Sequence, residues 1–528
     1  MQKKHIILLL LVIFFLSSCA PQVQQGSVAV SVTADGTSRN ITLPSGDNVQ
    51  QSLTAMGVTL SQAYRVAPPV YTLLTDGMSI TVTRVREEFE TQQVIVPFER
   101  QELRNESLLT GETRLIQAGQ NGIREITVRH VFENGIEVGN SVVSETILKS
   151  PIPEIVMVGV QSPFAPITIP GKLVYLTGGN AWIMDGSTFN RRPLVTTGDL
   201  DGYIFSLSED GKLLLFSRKS KLPVDQEINT LWVVNTASQN PSPVSLGVSN
   251  VVHFAAWQPG VDYAIAYSTV EPRATAPGWQ ANNDLHLKSF KNGVPGTITD
   301  VVETNAGGIY GWWGMTFAWS PDGKSLAYSR PDGIGLVDLK EGVLASLLNI
   351  TPLNTHGDWA WIPGLAWGSD NQSIFVVTHA APTGLVSPEE SPNFDLDVTN
   401  ISGSPTSRIV QQTGMFAYPA GSSVQPSESG SSFLVAFWQA IFPTQSKTSR
   451  YQLDVMNSDG TNLHVLFPTA GQSGLEPRIQ PIWAPRVFVG GANYIAIIYE
   501  GNLWIVDAVS GQSQQVTGDE STSQIDWK

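Results

Sequence analysis

Aromatic side chains beside acids and imidazoles are the residues here whose chemistry faces a ligand most readily. Tyr310, Trp312 and Trp313 fall in or beside the glycine-rich stretch 307–314, and His356, Asp358, Trp359 and Trp361 form a second group further on. Trp279 stands apart from both, as does Trp438. Flat ring faces next to an acid or an imidazole suit a sugar ring or a peptide. The alternative is structural: the glycine-rich stretch simply buries its aromatics between packed sheets. Covalent chemistry is less well provided for. There is no Gly-x-Ser-x-Gly elbow, and the 7 histidines are scattered without metal-binding spacing. Asp199, Asp201 and Gly202 match part of a calcium loop but lack its full ligand set. Carboxylates brought together by the fold stay open as a route to hydrolysis. The sequence names no catalytic residue, no metal ligand and no cofactor.

Residues 165–528, which hold all 14 tryptophans, repeat themselves. In Phe317-Ala318-Trp319-Ser320-Pro321-Asp322-Gly323-Lys324-Ser325-Leu326-Ala327-Tyr328-Ser329 an apolar strand enters an Asp-Gly turn and a second apolar strand leaves it. Phe205–Lys212 repeats the pattern, and weaker copies centre on Trp257, Trp367, Pro426 and Trp483. Third strands follow at Leu231–Asn235, Ile334–Asp338, Tyr451–Val455 and Leu503–Asp507. Such spacing predicts four-stranded propeller blades. Ser523–Lys528 reads as a first strand without a second, and Gly171–Leu176 as a second without a first. Pairing them gives seven blades, with six or eight within the error of the count. Trp257, Trp319, Trp367, Trp483 and Trp527 share one register, which predicts packing between blades. In such a blade the second-to-third and fourth-to-first connections open on one face, where Trp279, Tyr310, Trp312, Trp313, His356, Asp358, Trp359 and Trp361 are expected to meet. The repeats resemble those of TolB and other WD40-like propellers, although TolB has six blades.

The preceding residues read as two small β modules. Val28, Val30 and Val32 alternate into the Ala34-Asp35-Gly36 turn and a return strand at 39–43, a hairpin signal. Asp47 is the expected N-cap of a helix over 48–56 that Gly57 ends, and a strand follows over 80–85. That order predicts a ubiquitin-like β-grasp over 27–83. Residues 84–161 then carry Val96-Pro97-Phe98-Glu99, Leu108–Thr113, Gln117–Gly122, Phe132–Val138 and Pro153–Gly159. The segment resembles a G5 domain, whose five glycines map onto Gly111, Gly119, Gly122, Gly135 and Gly159. Positive φ or close backbone approach explains them structurally. The resemblance implies binding to cell-wall sugars containing N-acetylglucosamine. Some relatives are linked to zinc; His130, the one histidine of the module, reads as a strand residue. Pro163, Pro166 and Pro170 suggest a stiff junction over 161–171.

Composition sets the outer limits. The 528 residues carry 31 Lys+Arg against 46 Asp+Glu, a net charge of −15, which argues against nucleic acid as a partner. The length predicts about three domains. Gly 47 and Pro 33 suit a turn-rich β protein. Lys3 and Lys4 precede the apolar run Ile6–Leu16, too short for a bilayer span of about 20 residues and of the length expected in a leader peptide. Leu16-Ser17-Ser18-Cys19 resembles a bacterial lipobox, with Cys19, the sole cysteine, as the lipidated residue. The expected organisation is a leader over 1–18, a tether over 19–26, the two β modules, and the propeller over 165–528. The expected function is a non-catalytic, extracytoplasmic lipoprotein held to the membrane by its lipid. It binds wall polysaccharide or peptidoglycan through the G5 module and a ligand or another envelope protein through the propeller. An assembly factor acting by protein contacts is the alternative, and a propeller hydrolase or lyase a weaker one.

Overall fold

The computed structural model describes residues 26–105, 108, 111–159, 164–261, 263–291, 294–382, 384–423, 432–469, 471–485 and 493–528. Cys19, the apolar run before it and Pro426 lie outside the described residues. The chain divides into two units. One holds the residues up to Leu103 with Thr113–Met157, the other Arg104–Glu112 with Val158–Lys528.

In the first unit the period of two decides which valines go inside. Val30 and Val32 share a face of β1 (Ser27–Ala34) and are 2% and 1% exposed. β1 pairs antiparallel with β2 (Thr37–Pro44), and helix α1 (Val49–Ala55) lays Val49 and Leu53 on the same core. The N-cap is Asn48 rather than Asp47. Asn48 accepts a hydrogen bond from the Gln51 amide at 3.0 Å, and the Gln51 side chain accepts one from the Asn48 amide at 2.8 Å. This reciprocal pair needs a glutamine or glutamate three residues on, and from Asp47 that position is Gln50, which does not take part. β3 (Arg65–Ala67) and β4 (Ser79–Thr83) complete a sheet in the order β2-β1-β4-β3, with β1 and β4 parallel.

Six strands follow: β5 (Val85–Val96), β6 (Arg100–Asn105), β7 (Thr113–Gln117), β8 (Gly122–Glu133), β9 (Ile136–Lys149) and β10 (Glu154–Gly159). They form two three-stranded sheets, β5-β8-β9 and β6-β10-β7. Asn134 and Gly135, both at positive φ, turn β8 into β9. Every residue of β9 is exposed, Val142 and Ile147 included, so that strand adds length without adding core.

The second unit contains seven four-stranded antiparallel sheets among the described residues. Sheet I pairs Thr522–Trp527 with Thr168–Thr177, Val174 opposite Asp526, and continues through Asn180–Ser187 and Arg191–Val195. The strand therefore starts within the stretch expected to be a stiff junction, with an irregularity between Thr168 and Lys172 that accommodates Pro170. Sheets II to VII follow in chain order, beginning at Leu200, Ala255, Thr316, Leu365, Ala420 and Ile482. Apolar strands fill both faces: Phe216, Ile265, Tyr328, Phe375, Phe437 and Ile497 are at most 1% exposed.

The tryptophans in shared register tie sheet to sheet. Trp257 Nε1 donates to the Ser206 carbonyl of sheet II at 3.0 Å, Trp367 to Ala318 of sheet IV at 2.8 Å, and Trp483 to Ala420 of sheet VI at 2.9 Å. Trp527 donates to Pro170 within its own sheet at 2.7 Å. Trp319 departs from the pattern, its Nε1 covered and without a partner among the described residues. Sheets III and IV meet there through Phe254 and Phe317, whose centroids lie 5.1 Å apart. The Asp-Gly turns interlock as well. A Cβ on Gly323 would stand 2.0 Å from the Pro259 carbonyl of sheet III, so only glycine fits there.

Candidate functional site

In each sheet the chain runs first strand to fourth, so the connections after strands two and four emerge on one side. Two of them build an aromatic cluster. The hairpin Val270–Pro272/Trp279–Ala281 follows the second strand of sheet III, and Trp312 and Trp313 enter sheet IV. Trp279 and Trp313 lie 5.2 Å apart between centroids, Trp312 and Trp313 5.9 Å. Trp279 Nε1 donates to the Trp313 carbonyl at 3.1 Å, and the Ala281 amide to Trp312 at 3.0 Å.

The glycines of 307–314 permit this wrapping. Asn283, buried at 1%, donates from Nδ2 to the Gly311 carbonyl at 2.8 Å, and a Cβ on Gly307 would strike that same amide at 2.3 Å. A Cβ on Gly314 would lie 2.6 Å from His253. His253 is one residue that sequence reasoning missed. Its ring packs 5.6 Å from Trp279 and 5.8 Å from Trp313, and its Nε2 is covered with no partner among the described residues. Burial pushes the imidazole down to about 4, with a backbone contact at Trp313 opposing the shift. It is neutral at physiological pH.

Beside the cluster lies a groove of about 460 Å³. Trp313, Asp358 and Trp359 line it, together with Arg273, Val224 and the hairpin tip at Pro277 and Gly278. Arg273 was not foreseen; its place on a hairpin with Trp279 opposite Pro272 was the available signal. Its guanidinium is held by Glu271 at 2.7 Å and by Gln280 at 3.2 Å. Lys447, from a connection of sheet VI, stands 5.1 Å from the Trp359 ring centroid. Trp313 and Trp359 also line a cavity of about 1130 Å³ that reaches Trp257, Trp319, Trp483 and Trp527.

Other expected site residues sit elsewhere. Trp361 lines the cavity but is 2% exposed, donates to the Met415 carbonyl at 2.8 Å and packs on Phe394; its faces are core. His356, at positive φ, pairs with Glu390 at 3.1 Å and does not line the groove. Tyr310 is half-buried at a turn, its carbonyl accepting from the Trp313 amide. Trp438 is a strand residue, 2% exposed. Asp199 pairs with Arg218 at 2.8 Å, and Asp201 accepts from Ser217 and the Tyr203 amide.

The five glycines named from the sequence serve geometry, Gly119, Gly122 and Gly135 in the first unit and Gly111 and Gly159 in the second. Gly111 and Gly135 have positive φ; a Cβ on Gly119 would enter the Phe98 ring at 2.3 Å, and one on Gly122 would meet the Lys149 carbonyl at 2.5 Å. The Gly159 amide donates to Glu112 at 2.8 Å. Residues 87–161 match the family model of the G5 domain. Within this G5 domain His130 is a strand residue of β8, flanked by Glu137 at 2.8 Å and Glu90 at 3.3 Å. The G5 domain structure from IgA1 protease is 28% identical, covering 15% of this chain and 94% of its own, with a TM-score of 0.12. A protein designated TolB from Agrobacterium tumefaciens is 16% identical over 60% of this chain and 93% of its own, TM-score 0.31. The β-propeller domain of the Trilobed protease from Pyrococcus furiosus is 12% identical over 60% of this chain and 84% of its own, TM-score 0.35. The last two likenesses concern fold alone. No curated protein matches the chain.

Proposed function

We propose that the chain is a non-catalytic lipoprotein of the cell envelope, lipidated at Cys19 and lying outside the cytoplasm. Its G5 domain engages wall glycan, and its seven sheets close as a seven-bladed propeller that presents a face for a ligand or another envelope protein. The observation that carries this reading is the G5 match over 87–161, since G5 domains are linked to glycans containing N-acetylglucosamine. The face that holds Trp279, Trp312, Trp313, Asp358 and Trp359 supports a second binding role in the other unit. The full chain should sediment with purified peptidoglycan and be released by N-acetylglucosamine oligomers. Failure to sediment would refute wall binding. Cys19→Ser should move the protein from the detergent phase to the aqueous phase in a Triton X-114 partition, and an unchanged partition would refute the anchor.

An assembly factor is the second reading, favoured by exposed apolar residues on connections of the same face. Leu222, Val224, Leu385 and Phe442 are 55%, 64%, 106% and 63% exposed. A wall-independent complex with an envelope protein, cross-linked in cells and disrupted by Phe442→Ser, would support it.

A further inference from the structure

The groove between Trp313 and Trp359 has the chemistry of one ligand class. Its walls are two indoles from successive connections, and its rim carries one carboxylate, Asp358, and one guanidinium, Arg273. Arg273 is already fixed by Glu271 and Gln280, so its planar donor fork is oriented before any ligand arrives. Charge at the rim is balanced: Glu271 pairs with Arg273, and Lys447 over Trp359 offsets Asp358. Neither an anion nor a cation is selected. The rest of the lining is Val224 and the small, uncharged hairpin residues Ala274, Thr275, Ala276, Pro277 and Gly278. The cavity beyond is lined by indoles, Gln480, and Ser369 and Ser422, whose hydroxyls already donate to the Ser422 and Ser423 carbonyls. Its charged lining residues, Glu209 and Lys528, are both engaged, Glu209 with the Gly260 amide at 2.8 Å and Lys528 with Asp526 at 3.9 Å.

We propose that this groove is a saccharide subsite. One pyranose ring stacks on Trp359 and Trp313 while Asp358 accepts from, and Arg273 donates to, hydroxyls at the ring edge; the sugar chain continues into the cavity. Stacking faces with polar groups confined to the rim match a ring that is apolar on its face and hydroxylated at its edge. The proposal rests on the reading of this face as ligand-binding. It makes the chain bivalent for glycan, with one site in each unit, and links sites of modest affinity into stronger retention.

The location of the tryptophans provides a test. All 14 lie between Trp182 and Trp527, and the G5 domain has none. Intrinsic fluorescence therefore reports the second unit, whereas sedimentation with peptidoglycan reports either site. The full chain is titrated with chitotetraose and with cellotetraose. A saturable fluorescence change is expected, weakened by about tenfold or more in Trp359→Ala. It should be restored to within about threefold in Trp359→Phe, which keeps a stacking face, and Asp358→Asn should weaken it without altering the thermal melt. No saturable change with either sugar would overturn the proposal, and so would a change of equal affinity in Trp359→Ala. A response to an Ala-Glu-Lys-Ala-Ala peptide in place of sugar would overturn it in favour of peptide recognition. Retention on peptidoglycan without a fluorescence response leaves the G5 reading standing and this one refuted; loss of sedimentation with a retained response does the reverse.

Discussion

Protonating His253 should loosen the second unit over a defined pH window. The folded imidazole titrates near 4, against 6.5 when free, because burial between Trp279 and Trp313 penalises its charged form. A folded pKa below the unfolded one means that the unfolded chain binds the proton first. Stability is therefore fully present above pH 6.5, falls as pH drops towards 4 and levels off below that. The full shift corresponds to about 3 kcal/mol; the ring is only half-buried although its Nε2 is covered, so about 2 kcal/mol is expected between pH 7 and pH 4.5. Asp454 works in the opposite direction within the same window. Its buried carboxyl is pushed up to about 6, so the native state takes its proton first and gains stability as pH falls from 6 to 3.8. The informative quantity is the difference between the parent chain and His253→Gln, in which the Asp454 contribution cancels. Urea unfolding followed by tryptophan fluorescence at pH 7 and pH 4.5 isolates the second unit. The stability advantage of the parent over the variant should shrink by about 2 kcal/mol at the lower pH. A difference constant to within about 0.5 kcal/mol would show that His253 is not held neutral by its surroundings.

Removing the Asp454 charge with Asp454→Asn should stabilise the second unit by about 1–2 kcal/mol at pH 8 in urea unfolding, and the gain should vanish below pH 3.8. Trp361→Ala should cost about 3–5 kcal/mol by thermal melting, whereas Trp312→Ala, at 36% exposure, should cost less than about 1 kcal/mol. Gly122→Ala should destabilise the G5 domain by about 1–3 kcal/mol through the Lys149 carbonyl 2.5 Å from the new Cβ. Limited proteolysis within 87–161, with tryptophan fluorescence unchanged, is the readout.

Sequence periodicity made the strands legible because burial on a sheet follows a period of two and the turns need particular residues. Trp257, Trp367 and Trp483 could be placed in one register by spacing alone, and all three bond across sheets. Trp319 packs among residues of sheets III and IV as the shared register predicts, but makes no bond across them among the described residues. The helix cap shifted from Asp47 to Asn48 because either side chain suits the position and the reciprocal bond from Gln51 decided between them. The G5 glycines were legible as backbone requirements. Which of them need positive φ and which need room for Phe98 or the Lys149 carbonyl was not.

The site divides along the same line. From sequence alone came candidate aromatics, Trp279, Trp312, Trp313 and Trp359 among them, and the side on which their connections emerge, since both follow from residue order within a repeat. Tertiary structure decided its membership. It brought Arg273 and Lys447 to the groove from connections of sheets III and VI, placed His253 under two indoles, paired His356 with Glu390 and buried Trp361. A repeat fixes where a residue enters its own sheet. Its neighbours come from other sheets distant in the chain, and only the packing of those sheets determines which of them arrive within contact distance.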